Sequence, residues 1–171
     1  MQMKAQIIEP EEVVELLPQI LHLNKILVPI DFSDTSKKAL HYALRFAEQF
    51  GSEIVLLHVV EPTTPMVGAP LGVEVFPQLP DDSISANKEL AALAARSRNN
   101  GSNSIRSTIR VGHAPNEITK AAKDLDVDLI VIATHGYTSW RHLCMGSTAE
   151  RVVRTAPCPV LVVREKEHEF V

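Results

Sequence analysis

The hydrophobic positions of the chain alternate between two rhythms. Short, nearly continuous apolar runs stand at 25 to 31 (KILVPID), 53 to 60 (EIVLLHVV), 128 to 133 (DLIVIA) and 159 to 163 (PVLVV). Runs of this length, rich in β-branched residues, predict strands, and their weak polar alternation predicts a parallel sheet covered on both faces. The stretch 104 to 112 (SIRSTIRVG) predicts a fifth strand with a more exposed alternation. Between the strands the period changes to that of a helix. Over 34 to 50, Ala39, Leu40, Ala43, Leu44, Ala47 and Phe50 share one face, with Ser33 as the N-cap and Gly51 as the C-terminal stop. Further helices are predicted from Ser83 to Arg98, ended by Asn-Asn-Gly, from Pro115 to Leu125 and from Ser147 to Thr155.

Strand and helix alternating in this way predict an α/β fold, a doubly wound five-stranded parallel sheet with right-handed crossovers and helices on both faces. A length of 171 residues suits one core, and the chain carries no internal repeat. The expected domain runs from 25 to 165, with an N-terminal arm over 1 to 24 and a charged tail over 166 to 171. Residues 61 to 82 carry Pro62, Pro65, Pro70, Pro77 and Pro80 with Gly68 and Gly72, which predicts an irregular surface excursion. In doubly wound sheets, ligands sit outside the carboxyl ends of the strands where the strand order reverses. Two loops converge there, one beginning at Asp31 and one at Thr134.

Composition narrows the function classes. With 45% hydrophobic and 22% charged residues the chain reads as an ordinary globular protein. A net charge of −4, scattered basic residues and a single Trp argue against a nucleic-acid partner. No apolar run approaches the ~20 residues of a membrane helix, so no membrane partner is expected. The arm has one early lysine, acidic Glu9, Glu11, Glu12 and Glu15, and Pro18 inside its apolar part, which is unlike an export signal. A cytoplasmic location is expected, in keeping with Cys144 and Cys158 as unpaired structural thiols. The histidines show no metal-binding spacing, so no metal site made by the protein alone is expected. His58 reads as a packed strand residue, while His113 and His142 read as local hydrogen-bonding groups. The nucleophile-elbow and P-loop patterns are both missing.

The stretch ATHGYTSWRHLCMGSTAERVV, 133 to 153, carries the chemistry. GSTAE at 146 to 150 matches a capping box, with Ser147 as the cap and Glu150 reaching back. A helix start preceded by glycine also offers free N–H donors and the positive end of the helix dipole, which favour an anion. Gly136 gives a second point where backbone can approach a ligand without a Cβ in the way. His135 lies within the same loop, in reach of a phosphate. Both readings, a phosphate cradle and a capped turn, fit these residues.

KILVPIDFSDTSKKALHYALRFA, IVLLHVVEP, DLIVIATHG and GSTAERVVRTAPCPVLVVRE resemble the universal stress protein family over nearly all of 25 to 165. The nucleotide-binding branch of that family carries Gly, two residues, Gly, nine residues, then Gly and Ser or Thr. Here the pattern is Ala133, Thr134, His135, Gly136, nine residues, Gly146 and Ser147, so the spacing is kept and the first glycine is alanine. The added methyl is tolerable if Ala133 keeps a negative φ. The resemblance implies a strand order of 3-2-1-4-5, as in adenine nucleotide alpha hydrolase-like folds. It implies that Asp31 and the backbone at Pro29, Ile30 and Val59 hold adenine and ribose, with Ala133 beside the ribose and first phosphate. It further implies that Gly136, Gly146, Ser147 and Thr148 meet the phosphates of ATP, ADP or AMP, with Mg²⁺ bridging phosphate oxygens, and that a homodimer forms along the last strand. The functions left open are a nucleotide-responsive binding module of the stress response, a slow ATPase or phosphotransferase using His135 or Arg141, and a nucleotide-free interaction protein.

Overall fold

The computed structural model of the protein describes residues 22–62, 81–98, 104–134 and 145–165. Its elements run in strict alternation: β1 (Lys25–Pro29), α1 (Asp34–Phe50), β2 (Glu53–Val60), α2 (Asp81–Arg98), β3 (Ser104–Val111), α3 (Ala114–Asp124), β4 (Leu129–Ala133), α4 (Ser147–Thr155) and β5 (Val160–Val163). The strands form one sheet in the order β3-β2-β1-β4-β5, as the resemblance implies. Every pairing is parallel, with Ile26 opposite both Ile54 and Leu129, and Ile130 opposite Val160. Most of the arm, most of the proline-rich excursion and the tail lie outside the described residues.

The apolar runs are nearly continuous because both faces of the sheet are covered. Ile26 and Val28 of β1 pack into a cluster with Ala39, Leu40 and Ala43 of α1 and Leu90 and Ala94 of α2. Leu27, between them, points the other way, into a cluster with Ile118, Ala121 and Ala122 of α3 and Ala149 and Val152 of α4. Fully burying each such side chain contributes about 1.5–3 kcal/mol. Ser33 caps α1, accepting from the Ser36 N–H at 3.1 Å, and Gly51 ends it in the left-handed region at φ 71°. Phe50, expected on the buried face, is instead 38% exposed. It stands on the final residue of α1 and stacks on Phe46, with ring centroids 6.3 Å apart.

The chain enters the domain at the amino ends of the strands. The Asp128 carboxylate accepts from the N–H groups of Asn24 and Lys25 at 2.7 and 2.8 Å, and the Lys25 ammonium donates to the Leu125 carbonyl at 2.6 Å. Cys158 is a half-buried free thiol whose pKa is pushed up by burial and, secondarily, by the charge of Asp128. No helix among the described residues is long and apolar enough to cross a membrane.

Candidate functional site

At the opposite edge, where β1, β2 and β4 end, lies a cavity of about 310 Å³. The strand order reverses between β1 and β4: β1 leads into α1 on one face, and β4 leads towards α4 on the other. Such a divergence opens a crevice without any special side chain. Leu57, Val59, Ile118 and Ile132 give the cavity an apolar wall, and Asp31, Ser36, Thr134, Ser147 and Thr148 add polar groups. One apolar side with a few convergent polar groups is the usual make-up of a small-molecule site.

The β1–α1 connection delivers Asp31. Ile30 extends the sheet past Pro29 by donating its N–H to the Leu57 carbonyl at 2.8 Å. Asp31 Oδ1 then accepts from the Ser33 N–H at 3.1 Å and from the Ser33 hydroxyl at 2.5 Å. One residue thus caps α1 and orients the carboxylate. Phe32 between them has a positive φ of 66°, an unusual conformation for a bulky side chain. His58 Nδ1 lies 2.7 Å from the Ile30 carbonyl, and the His58 and Phe32 ring centroids are 4.7 Å apart.

The β4–α4 connection delivers backbone donors. The Gly146 N–H donates to the Thr134 carbonyl at 2.8 Å, closing the base of the loop, and the Thr134 N–H donates to Val163 at 2.8 Å. Gly146, at φ −60° and ψ 148°, is the N-cap of α4, and no side chain caps the helix. The expected capping box is therefore not formed. With Gly146 tied to Thr134, the helix starts one residue earlier than that box requires. Glu150 turns outward and accepts from Arg154 Nε and Nη2 at 3.1 and 2.9 Å. The N–H groups of Ser147, Thr148 and Ala149 stand in the first turn, beside the cavity these residues line. Four such N–H groups at any helix start lack intrahelical partners, and the dipole there favours negative charge.

Pro29, Ile30, Asp31, Val59, Ala133, Gly146, Ser147 and Thr148 all line this one cavity. His135 and Gly136 lie outside the described residues. Ala133 of β4 pairs with Val163 of β5, and among described non-glycine residues only Phe32 and Asp126 have positive φ, so alanine fits the backbone at 133. Gly146 differs in part from expectation, because its N–H is already bonded to Thr134 and it can offer a ligand only space. His58, Ser36, Ala114 and Ile118 also line the cavity and were not singled out for it. Of these, His58 alone carried a local signal: it precedes Val59 at the end of an otherwise apolar strand.

The sequence pattern of the Universal stress protein family matches residues 22–164. The chain belongs to that family. A universal stress protein of Methanocaldococcus jannaschii is 34% identical over 148 residues, which cover 85% of this chain and 84% of the relative. Among solved structures, a universal stress protein in complex with cAMP is 19% identical, with a TM-score of 0.65, covering 85% of this chain and 100% of that one. Another universal stress protein, from Archaeoglobus fulgidus in complex with dAMP, is 20% identical, with a TM-score of 0.60, covering 83% and 98%. At these identities the two structures support the fold alone. As a member of this family with an intact β1–α1 turn, the chain is expected to depend on Ser33 for local order. Ser33→Ala is expected to cost about 1 kcal/mol of stability in urea denaturation with an unchanged m value; an unchanged midpoint would contradict the capping role.

Proposed function

We propose that this universal stress protein binds an adenine nucleotide in the cavity at the carboxyl ends of β1, β2 and β4 and acts in the stress response as a nucleotide-responsive binding module. The observation that carries the reading is the start of α4, a glycine-capped helix whose first-turn donors have no side-chain cap and line the same cavity as a carboxylate. Phosphate oxygens would take the Ser147, Thr148 and Ala149 N–H groups and the two hydroxyls, an arrangement favoured by the helix dipole. The base would rest on the Val59 and Ile118 side, with the backbone at Pro29 and Ile30 beside it. Asp31 would accept from ribose hydroxyls or the adenine amine, and charge-assisted bonds of this kind are among the stronger ones. His135 and Gly136 would complete the phosphate side.

Mg²⁺ would reach the site through the phosphates, as this ion commonly does, since among the described residues no group of three His, Cys, Asp or Glu is placed to hold a metal. Phosphoryl transfer also needs a cationic group to stabilise the developing charge. His135 and Arg141, the groups the sequence offers for turnover, lie outside the described residues. The cAMP and dAMP bound by the two solved relatives are in keeping with an adenine-nucleotide ligand of this size class. β5 pairs with β4 on one side only among the described residues, and an apolar edge strand of this kind invites a second copy of the chain.

Titration calorimetry with ATP, ADP and AMP is expected to give saturable binding, with little phosphate release under excess Mg-ATP. Gly146→Leu, at a backbone conformation that any residue adopts, is expected to abolish binding while leaving the circular dichroism spectrum unchanged. Retained affinity in that variant would dismiss the cradle. Light scattering is expected to give twice the chain mass, and a monomer mass for a variant with Lys in place of Leu161; a wild-type monomer would dismiss the β5 interface.

A further inference from the structure

Asp31 stands in the turn between β1 and α1. Its two neighbours are both held from β2. On one side, Ile30 is nearly fully buried and is fixed twice: its N–H donates to the Leu57 carbonyl at 2.8 Å, and its carbonyl lies 2.7 Å from His58 Nδ1. A carbonyl can only accept, so Nδ1 carries a proton and donates it. On the other side, Phe32 keeps a left-handed backbone at φ 66°, with its ring 4.7 Å from the His58 ring at an interplanar angle of 40°. A bulky residue stays in that region only where its surroundings hold it there. The same imidazole therefore contacts the residue before Asp31 through a hydrogen bond and the residue after it through ring packing.

The direction of His58 fits this role. Leu57 and Val59 pack in the cluster beneath α3 and α4, so alternation along β2 sends His58 towards the α1 face, where Phe32 packs. Ser33 orients the carboxylate from the α1 side, through its N–H and hydroxyl, while His58 meets the residues on either side of it. We infer that His58 is a positioning residue: by holding the turn on both sides of Asp31, it sets where the carboxylate stands in the cavity and so sets the affinity for the nucleotide. What the carboxylate grips rests on the nucleotide-binding reading, whereas the hold on the turn is a property of the free chain.

The test uses the full-length protein with His58→Phe, which keeps a ring and removes the donor, and His58→Asn, whose amide nitrogen stands near the Nδ1 position. His58→Gln, with its donor moved out towards Nε2, replaces the Phe variant if that one does not fold. Without nucleotide, amide exchange at Ser33, the donor to Asp31, is expected to speed up about ten-fold in His58→Phe, the usual scale of one lost hydrogen bond. Core amides such as those of Leu56 and Val131 are expected to stay unchanged, and His58→Asn to recover most of the Ser33 protection. Unchanged exchange at Ser33, or equal loosening of the core amides, would overturn the inference. With AMP as probe, His58→Phe is expected to weaken binding about ten-fold. Combined with Asp31→Asn, it is expected to weaken binding no further than Asp31→Asn alone, because the two residues act as one unit. Multiplying effects would show that His58 acts apart from Asp31 and would also overturn it. If the wild-type chain bound none of AMP, ADP and ATP, the nucleotide-binding reading would fail by itself, and the exchange measurement would still decide the role of His58.

Discussion

The inner strands of a parallel sheet, buried on both faces, can place polar groups only near their ends, and that constraint organises the molecule. Ile26, Leu27 and Val28 alternate between two apolar clusters, so no polar side chain can stand along the middle of β1 without loss of burial. Around β1 and β4 the polar residues gather instead at the two edges where the strands begin and end. At the amino edge, Asp128 and Lys25 tie the entering chain to β4 and the end of α3. At the carboxyl edge, Asp31, Thr134 and the start of α4 meet around the cavity. Because α1 and α4 cover opposite faces, the strands leading to them part there, and the crevice follows from topology.

Within the crevice the two connections are built differently. The β1–α1 turn is rigid and side-chain based: Ser33 both caps α1 and bonds Asp31, and His58 holds Ile30. The β4–α4 connection is backbone based, closed by the Gly146 to Thr134 bond and left without a side-chain cap. A serine or aspartate at the N-cap would take first-turn donors for itself, typically stabilising a helix by about 1 kcal/mol over alanine. Glycine there takes none of those donors for itself.

Much of this was legible in the sequence. Strands and helices could be placed to within a few residues because apolar period and capping chemistry agreed, as at Ser33 and Gly51. The doubly wound pattern brings the loops at Asp31 and Thr134 to one place, and the family resemblance adds Ala133, Gly146, Ser147 and Thr148 to it. Three features needed the fold. Phe50 continues the helical period of α1 but stands exposed at its final residue. Gly146 rather than Ser147 caps α4 because of a bond to Thr134, twelve positions back, that local spacing cannot reveal. His58 and Ser36 join the cavity through their neighbours in space, with no motif of their own to announce it.

The central claim, that uncapped amides at the start of α4 receive the phosphate of an adenine nucleotide, is tested most directly by amide chemical-shift mapping of the ¹⁵N-labelled chain during titration with Mg-ATP. The Ser147, Thr148 and Ala149 amides are expected to move most, together with those of the Asp31 turn, while the Asn24 and Lys25 amides at the opposite edge stay in place. Shifts confined to other surfaces, or none at saturating nucleotide, would contradict the account.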